Sequence, residues 1–288
     1  VSSNKYLIIN ADGYGFTYGI NRGIEETVEC GVVTSISVNA NFEAASELAA
    51  FARRYSKVSA GVHLNPVVGR PLSDLKRIPT LVNDEGEFHY RDFARRLMRG
   101  MIDLDELSLE LSAQIRRVRE MGVEISHLDS HQGQHLYPPY FRVFLQLLNA
   151  HGVGRMRTHA HYMLADMPRP RLASLGFYLG HPYRLVTHSW ARYEMWVARR
   201  HGVKMADRLL STERNGDKAD LARWLQLLRN VPPGWNEVFC HPAYPDDELR
   251  RWATYVDERL EEVRVMTCEE TKEEIRRCGI KLRSFHDL

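Results

Sequence analysis

Cysteine is scarce in this chain. Only Cys30, Cys240, Cys268 and Cys278 occur, with no CxxC pair, which excludes a disulfide framework and a zinc ribbon and fits the reduced thiols of a cytoplasmic protein. Net charge is scarce too. The 39 Lys and Arg stand against 37 Asp and Glu, leaving +2 with neutral histidines, so no broad basic field is available for nucleic acid or a membrane surface. No uninterrupted apolar run approaches the ~18 residues of a membrane span, and the first ten residues lack the apolar core of a secretory signal. No linker or internal repeat divides the 288 residues, so they read as one unit. With 44% hydrophobic and 26% charged residues, disordered, collagen-like and coiled-coil chains are excluded as well. What remains is a globular chain suited to a small-molecule ligand, with a homodimer left open.

What the sequence does contain is alternation. Apolar, β-rich runs at 6–11, 32–38, 58–64, 125–129, 153–157, 237–240 and 260–266 read as strands. Stretches at about 20–30, 44–51, 103–121, 139–150 and 269–275 have helical spacing, the fourth opened by Pro139. Residues 160–215, rich in His, Arg, Tyr and Trp, read as an elaborated loop region with one or two helices. Repeated strand and helix mean a parallel sheet, either an open doubly wound one or a barrel. The polar residues decide. Asp12, Asn39, His63, Asp129, Arg157 and His241 each end a predicted strand, as in a β/α barrel that gathers its site from many strands, so an α/β fold of barrel-like, TIM-related form, incomplete or seven-stranded, is expected.

The glycines at 13, 15 and 19 follow a strand and precede a helix, yet their GxGxxxG spacing and the acid at Asp12 fit a dinucleotide poorly. The segment His127 to His135 is the densest group of potential ligands, with His127, Asp129, His131 and His135 within nine residues. Imidazole nitrogens and carboxylates suit divalent cations, although any single histidine is more often a core or surface residue. His63 ends an apolar strand, where an unpartnered imidazole would be wasted, and Cys240-His241-Pro-Ala-Tyr244 repeats that pattern near the end of the chain.

Eight stretches resemble one known family in order along nearly the whole chain: Asn10-Ala-Asp-Gly-Tyr-Gly15, Asn21-Arg-Gly-Ile24, Val33-Thr-Ser35, Gly61-Val-His-Leu64 with Gly69-Arg-Pro-Leu72, His127-Leu-Asp-Ser-His131, His241-Pro-Ala243 and Ser284-Phe-His-Asp-Leu288. The family is that of YdjC-type carbohydrate deacetylases, which include chitooligosaccharide deacetylase. The resemblance implies a barrel-like fold and a divalent metal, Mg or Zn, used to hydrolyse the N-acetyl group of an amino sugar. It further implies metal ligands at His63 and His131 with one aspartate, Asp12 or Asp129 supplying the carboxylate. On the residues themselves Asp12 is the candidate base and His241 the candidate acid, Arg157 would meet an oxyanion or fix Asp12, and Asn39, Asn41, Asn65, His135 and Tyr244 are candidate substrate contacts. The family's first strand ends Asn-Ala-Asp-Asp, whereas here Gly13 stands where the second aspartate would be. Two other readings stay in view: an enzyme of the same pocket whose altered metal site serves different acid/base chemistry, and a sugar-binding protein without catalysis.

Overall fold

A computed structural model describes residues 4–288. Its strands are β1 (Lys5–Tyr14), β2 (Ser35–Val38), β3 (Ser59–Leu64), β4 (Ile125–Ser130), β5 (His161–Met163), β6 (Arg208–Ser211), β7 (Gly234–Cys240) and β8 (Ile280–Leu282). The α-helices are α1 (Tyr18–Glu29), α2 (Leu48–Arg54), α3 (Phe93–Met98), α4 (Leu104–Glu120), α5 (Pro138–Ala150), α6 (Pro170–Gly180), α7 (Pro182–Arg200), α8 (Leu221–Arg229), α9 (Asp247–Trp252), α10 (Glu258–Thr267) and α11 (Glu269–Arg277).

The central strands are buried on both faces, because helices cover one side and the barrel interior the other, and polar Asn10, Asp12, Ser35, Ser37, Ser59 and His63 are enclosed with the apolar residues. Leu7, Ile8 and Ile9 of β1 are wholly buried, and every residue of β2 and β3 is buried. Four of the helices begin where a side chain satisfies their free amides: Thr17 accepts from Ile20 ahead of α1, Asp103 from Asp105 and Glu106 ahead of α4, Asp220 from Ala222 and Arg223 ahead of α8, and Asp246 from Leu249 ahead of α9.

All pairings between these strands are parallel, in the order β4-β3-β2-β1-β7-β6-β5, with β8 beside the start of β1. Two parallel bridges, Leu128 to Met156 and Arg155 to Lys204, carry the ladder from β4 across residues 154–157 toward the β5–β6 side, which closes the expected barrel. The run at 153–157 therefore forms this seam rather than a full strand. Residues 160–215 hold the helical pair α6 and α7, and also the short strands β5 and β6 that their polar composition concealed. The strand expected at 260–266 is instead helix α10. Its Val263 and Val265 alternate with polar residues as a strand would, but burial follows a helical face, Glu262, Val263, Val265 and Met266 inward and 258, 261 and 264 outward, and the inward acid Glu262 hides that period in the sequence.

Candidate functional site

Strand β1 carries the first functional side chain. Between Asp12 and Tyr14 its register with β2 shifts by a bulge, made by Gly13 at φ +102°, a conformation that favours glycine. The bulge sits at the mouth of the barrel beside Asp12. Asp12 is gripped through both oxygens by Arg157, Nη1 to Oδ2 at 2.7 Å and Nη2 to Oδ1 at 2.6 Å, while the Asn10 amide donates to Oδ1 at 2.7 Å.

Arg157 also reaches Asp129 Oδ2 through Nη1 at 2.8 Å and Glu237 Oε1 through Nε at 2.8 Å. One buried guanidinium thus joins carboxylates from β1, β4 and β7. Burial opposes the Asp129 charge, but Arg157 and His63 outweigh it and hold that carboxyl well below the usual range. For Glu237 burial wins, pushing the carboxyl up to about 7 against the pull of Arg157. Raising Glu237 thereby lowers the excess of negative charge that three acids would otherwise place around one buried cation.

His63, at the end of β3, bonds Asp129 Oδ1 through Nδ1 at 2.8 Å. Because Asp129 is ionised, Nδ1 is the donor, and the lone pair is left on Nε2. The Asp129 carboxylate is itself steadied by the Ser37 hydroxyl at 2.9 Å. His131, just after β4, stands edge-on to His63 with ring centroids 5.5 Å apart and lies parallel to Phe16. Burial pushes its imidazole down to about 3, so it is neutral at ordinary pH. His241, just after β7, is pushed well below its usual value by burial, then by Arg259 and Lys218. Its backbone amide is held by Glu262 at 2.6 Å and its Nδ1 has no hydrogen-bond partner.

Asp12, Asn39, His63, His131, Arg157 and His241 all line one cavity of about 580 Å³. Both amide atoms of Asn39 are buried there without a partner. Asp12, His63 and Asp129 each offer a ligand atom within 4.8 Å of the others, a group able to hold a divalent cation. The donor chemistry fits such an ion: a carboxylate beside imidazoles that are neutral or fixed in the tautomer that leaves a nitrogen free. His63 and His131 were expected as ligands with Asp12 or Asp129 as the carboxylate; the compact group takes in both acids with His63, and His131 flanks it.

Other expected contacts lie elsewhere. The amides of Asn41 and Asn65 are spent on each other and on the Val67–Arg70 loop, as Asn41 donates to Val68 and Arg70 and Asn65 accepts from Val67 and Val68. Tyr244 donates to Glu26 and packs under Arg22, outside the cavity lining. His135 is stacked on Phe144 at 4.4 Å and bonded to the Ser130 hydroxyl. His127 is likewise structural, lying flat against Phe285 at 3.6 Å. Arg157, expected either to meet an oxyanion or to fix Asp12, is occupied by carboxylates and does the latter. Glu237 and Glu262 went unnoticed because a lone acid inside a strand or a helix carries no local signal.

Comparison with known proteins agrees with this arrangement. The family model described as YdjC-like protein matches residues 6–277. The chain is 31% identical over 286 residues to a carbohydrate deacetylase of Geobacillus stearothermophilus, covering 99% of this chain and 98% of that one. It is 28% identical to a chitooligosaccharide deacetylase of Escherichia fergusonii, covering 99% of each. A crystal structure from Enterococcus faecalis V583 superposes with a TM-score of 0.78 at 28% identity, covering 99% of both chains.

Proposed function

Because the chain belongs to the YdjC-like protein family, we propose that it is a metal-dependent deacetylase that removes the N-acetyl group from an amino sugar or an amino-sugar-containing compound. The reading rests on one observation: ligand atoms of Asp12 and His63 face a common cavity within 4.8 Å, each fixed from behind, Asp12 by Arg157 and His63 by Asp129.

His63 and His131, with Asp129 of the same compact group as the carboxylate, would hold the ion and leave Asp12 to act as base, and Zn or Mg both suit that donor set. Such an ion polarises an acyl oxygen and acidifies a bound water. The chain's own residues do the rest. Asp12 accepts the proton of the attacking water, and Arg157 with Asn10 keeps its carboxylate aimed at the cavity. His241, which lines the same cavity, relays a proton to the departing amine: one ring nitrogen gives up its proton as the partnerless Nδ1 takes up the one that Asp12 drew from the water, so the imidazole ends neutral and Asp12 ionised again. Asn39 offers an unspent amide to the sugar. Arg157 acts through Asp12 and is a positioning residue.

The test is acetate release from N-acetylated chitooligosaccharides by metal-loaded protein. Release that falls by about 10²–10⁴-fold in Asp12→Asn is the expected result. Stoichiometric metal with no acetate released from any N-acetylated sugar overturns the reading.

A further inference from the structure

Of fifteen large apolar side chains left exposed among the described residues, nine belong to the hairpin of α6 and α7. On α6, Leu172, Leu175 and Leu179 follow one another at helical spacing, and Leu179 is 78% exposed. At the start of α7, Leu185 and Val186 continue the patch beyond the turn. Further along, Trp190, Tyr193 and Trp196 form a ridge of rings, the first pair 5.4 Å and the second 6.0 Å apart. At half exposure and about 150–250 Å² each, the three rings alone leave on the order of 300 Å² in contact with water, and five aliphatic side chains 51–78% exposed add to it. Together they exceed the few hundred Å² a monomer ordinarily leaves in contact with water.

The charge on the same hairpin narrows what covers it. Arg169, Arg171, Arg184, Arg192, Arg199 and Arg200 are all exposed, and none is in an ion pair among the described residues. The one acid between them, Glu194, is buried, and burial pushes its carboxyl up to about 8. A second copy docking hairpin to hairpin would set six arginines against six. An anionic lipid surface neutralises them while taking up leucine, tryptophan and tyrosine at the depth where such side chains settle. The near-zero charge of the whole chain hides this local excess. The hairpin is also part of the reaction cavity: Arg184, next to exposed Leu185, lines it together with Asp12 and His63.

We propose that the α6–α7 hairpin docks the protein on an anionic lipid bilayer, which sets the cavity at the interface and suits it to an N-acetylated sugar carried on a lipid. The substrate half of this inference rests on the deacetylase reading above; the docking half does not.

Co-sedimentation with vesicles of phosphatidylglycerol, compared with phosphatidylcholine vesicles, separates the two halves. Binding to the anionic vesicles at least about tenfold tighter than to the neutral ones is expected, weakening as salt rises. The doubly substituted chain Leu179→Asp, Val186→Asp should lose about tenfold or more of that binding. Both side chains lie outside the cavity, so its acetate release from a soluble N-acetylated disaccharide should match the parent. No sedimentation with either vesicle overturns docking even if acetate is released, and vesicle binding without acetate release overturns the deacetylase reading alone. A dimer in sedimentation equilibrium that the two substitutions dissolve, with no vesicle binding, assigns the face to a second copy and also overturns the proposal.

Discussion

Arg157 holds one positive charge among three buried carboxylates, from Asp12, Asp129 and Glu237. Removing one partner of such a network leaves its counter-charges dry and uncompensated, so Arg157→Met is expected to cost about 3–5 kcal/mol and to abolish acetate release. Urea unfolding with the acetate assay checks both. Gly13 invites the opposite experiment. A Cβ there would meet nothing closer than 3.8 Å, so Gly13→Asp has room, but at φ +102° it bears backbone strain of about 1–2 kcal/mol. The variant is expected to melt earlier and to bind zinc at least about tenfold tighter, read by metal titration. At this scale the sequence was legible where function sits at a strand end: Asp12, Asn39, His63, His131, Arg157 and His241 do converge on one cavity. It was illegible where a side chain acts by backing another. Nothing near Asp129 announces that it would be shared by His63 and Arg157, from residues 66 and 28 positions away. Asn41, Asn65 and Tyr244 carry groups capable of meeting a sugar, yet loop and helix contacts absorb them first.

Between elements, close approach matters more than propensity. Gly61 of β3 lies so near the next strand that a Cβ would fall 2.3 Å from the His127 ring, itself stacked on Phe285. Gly61→Ala must therefore displace the ring or part β3 from β4. A loss of about 1–3 kcal/mol in thermal or urea unfolding is expected, with a fall in activity because Asp129 lies two residues beyond His127. Long elements with one apolar face, such as α4 and α5, were readable from spacing alone. The short strands β5 and β6 were not, since three or four residues cannot display a period, and α10 was misread because its buried face includes the charged Glu262, which breaks the apolar spacing of a helix.

Across the molecule, buried histidines set the response to acid. Burial pushes His127, His135 and His161 down to about 3, His188 down to about 4 and His159 well below its usual value, so the folded protein refuses protons that the unfolded chain accepts below about pH 6.5. Glu237 and Glu194, raised to about 7 and about 8, act in the opposite sense by keeping protons in the folded state that the unfolded chain releases above about pH 4.5. The histidines outnumber them. Stability should therefore fall as pH drops from 6.5, more steeply below about 4.5, where the two glutamates cease to oppose and the unfolded chain begins to take up a proton at Asp129 that the fold, holding that carboxyl ionised, refuses. A urea midpoint lower at pH 5 than at pH 7.5, by about 2 kcal/mol or more in stability, is the outcome to look for.

Arg157 rides on the seam that shuts the barrel, and the anions it neutralises come from β1, β4 and β7. Until that seam is sewn, those strand ends repel one another with no cation between them. Ring closure and assembly of the reactive centre are thus a single event, and a chain with an open seam would be both inert and self-opposing.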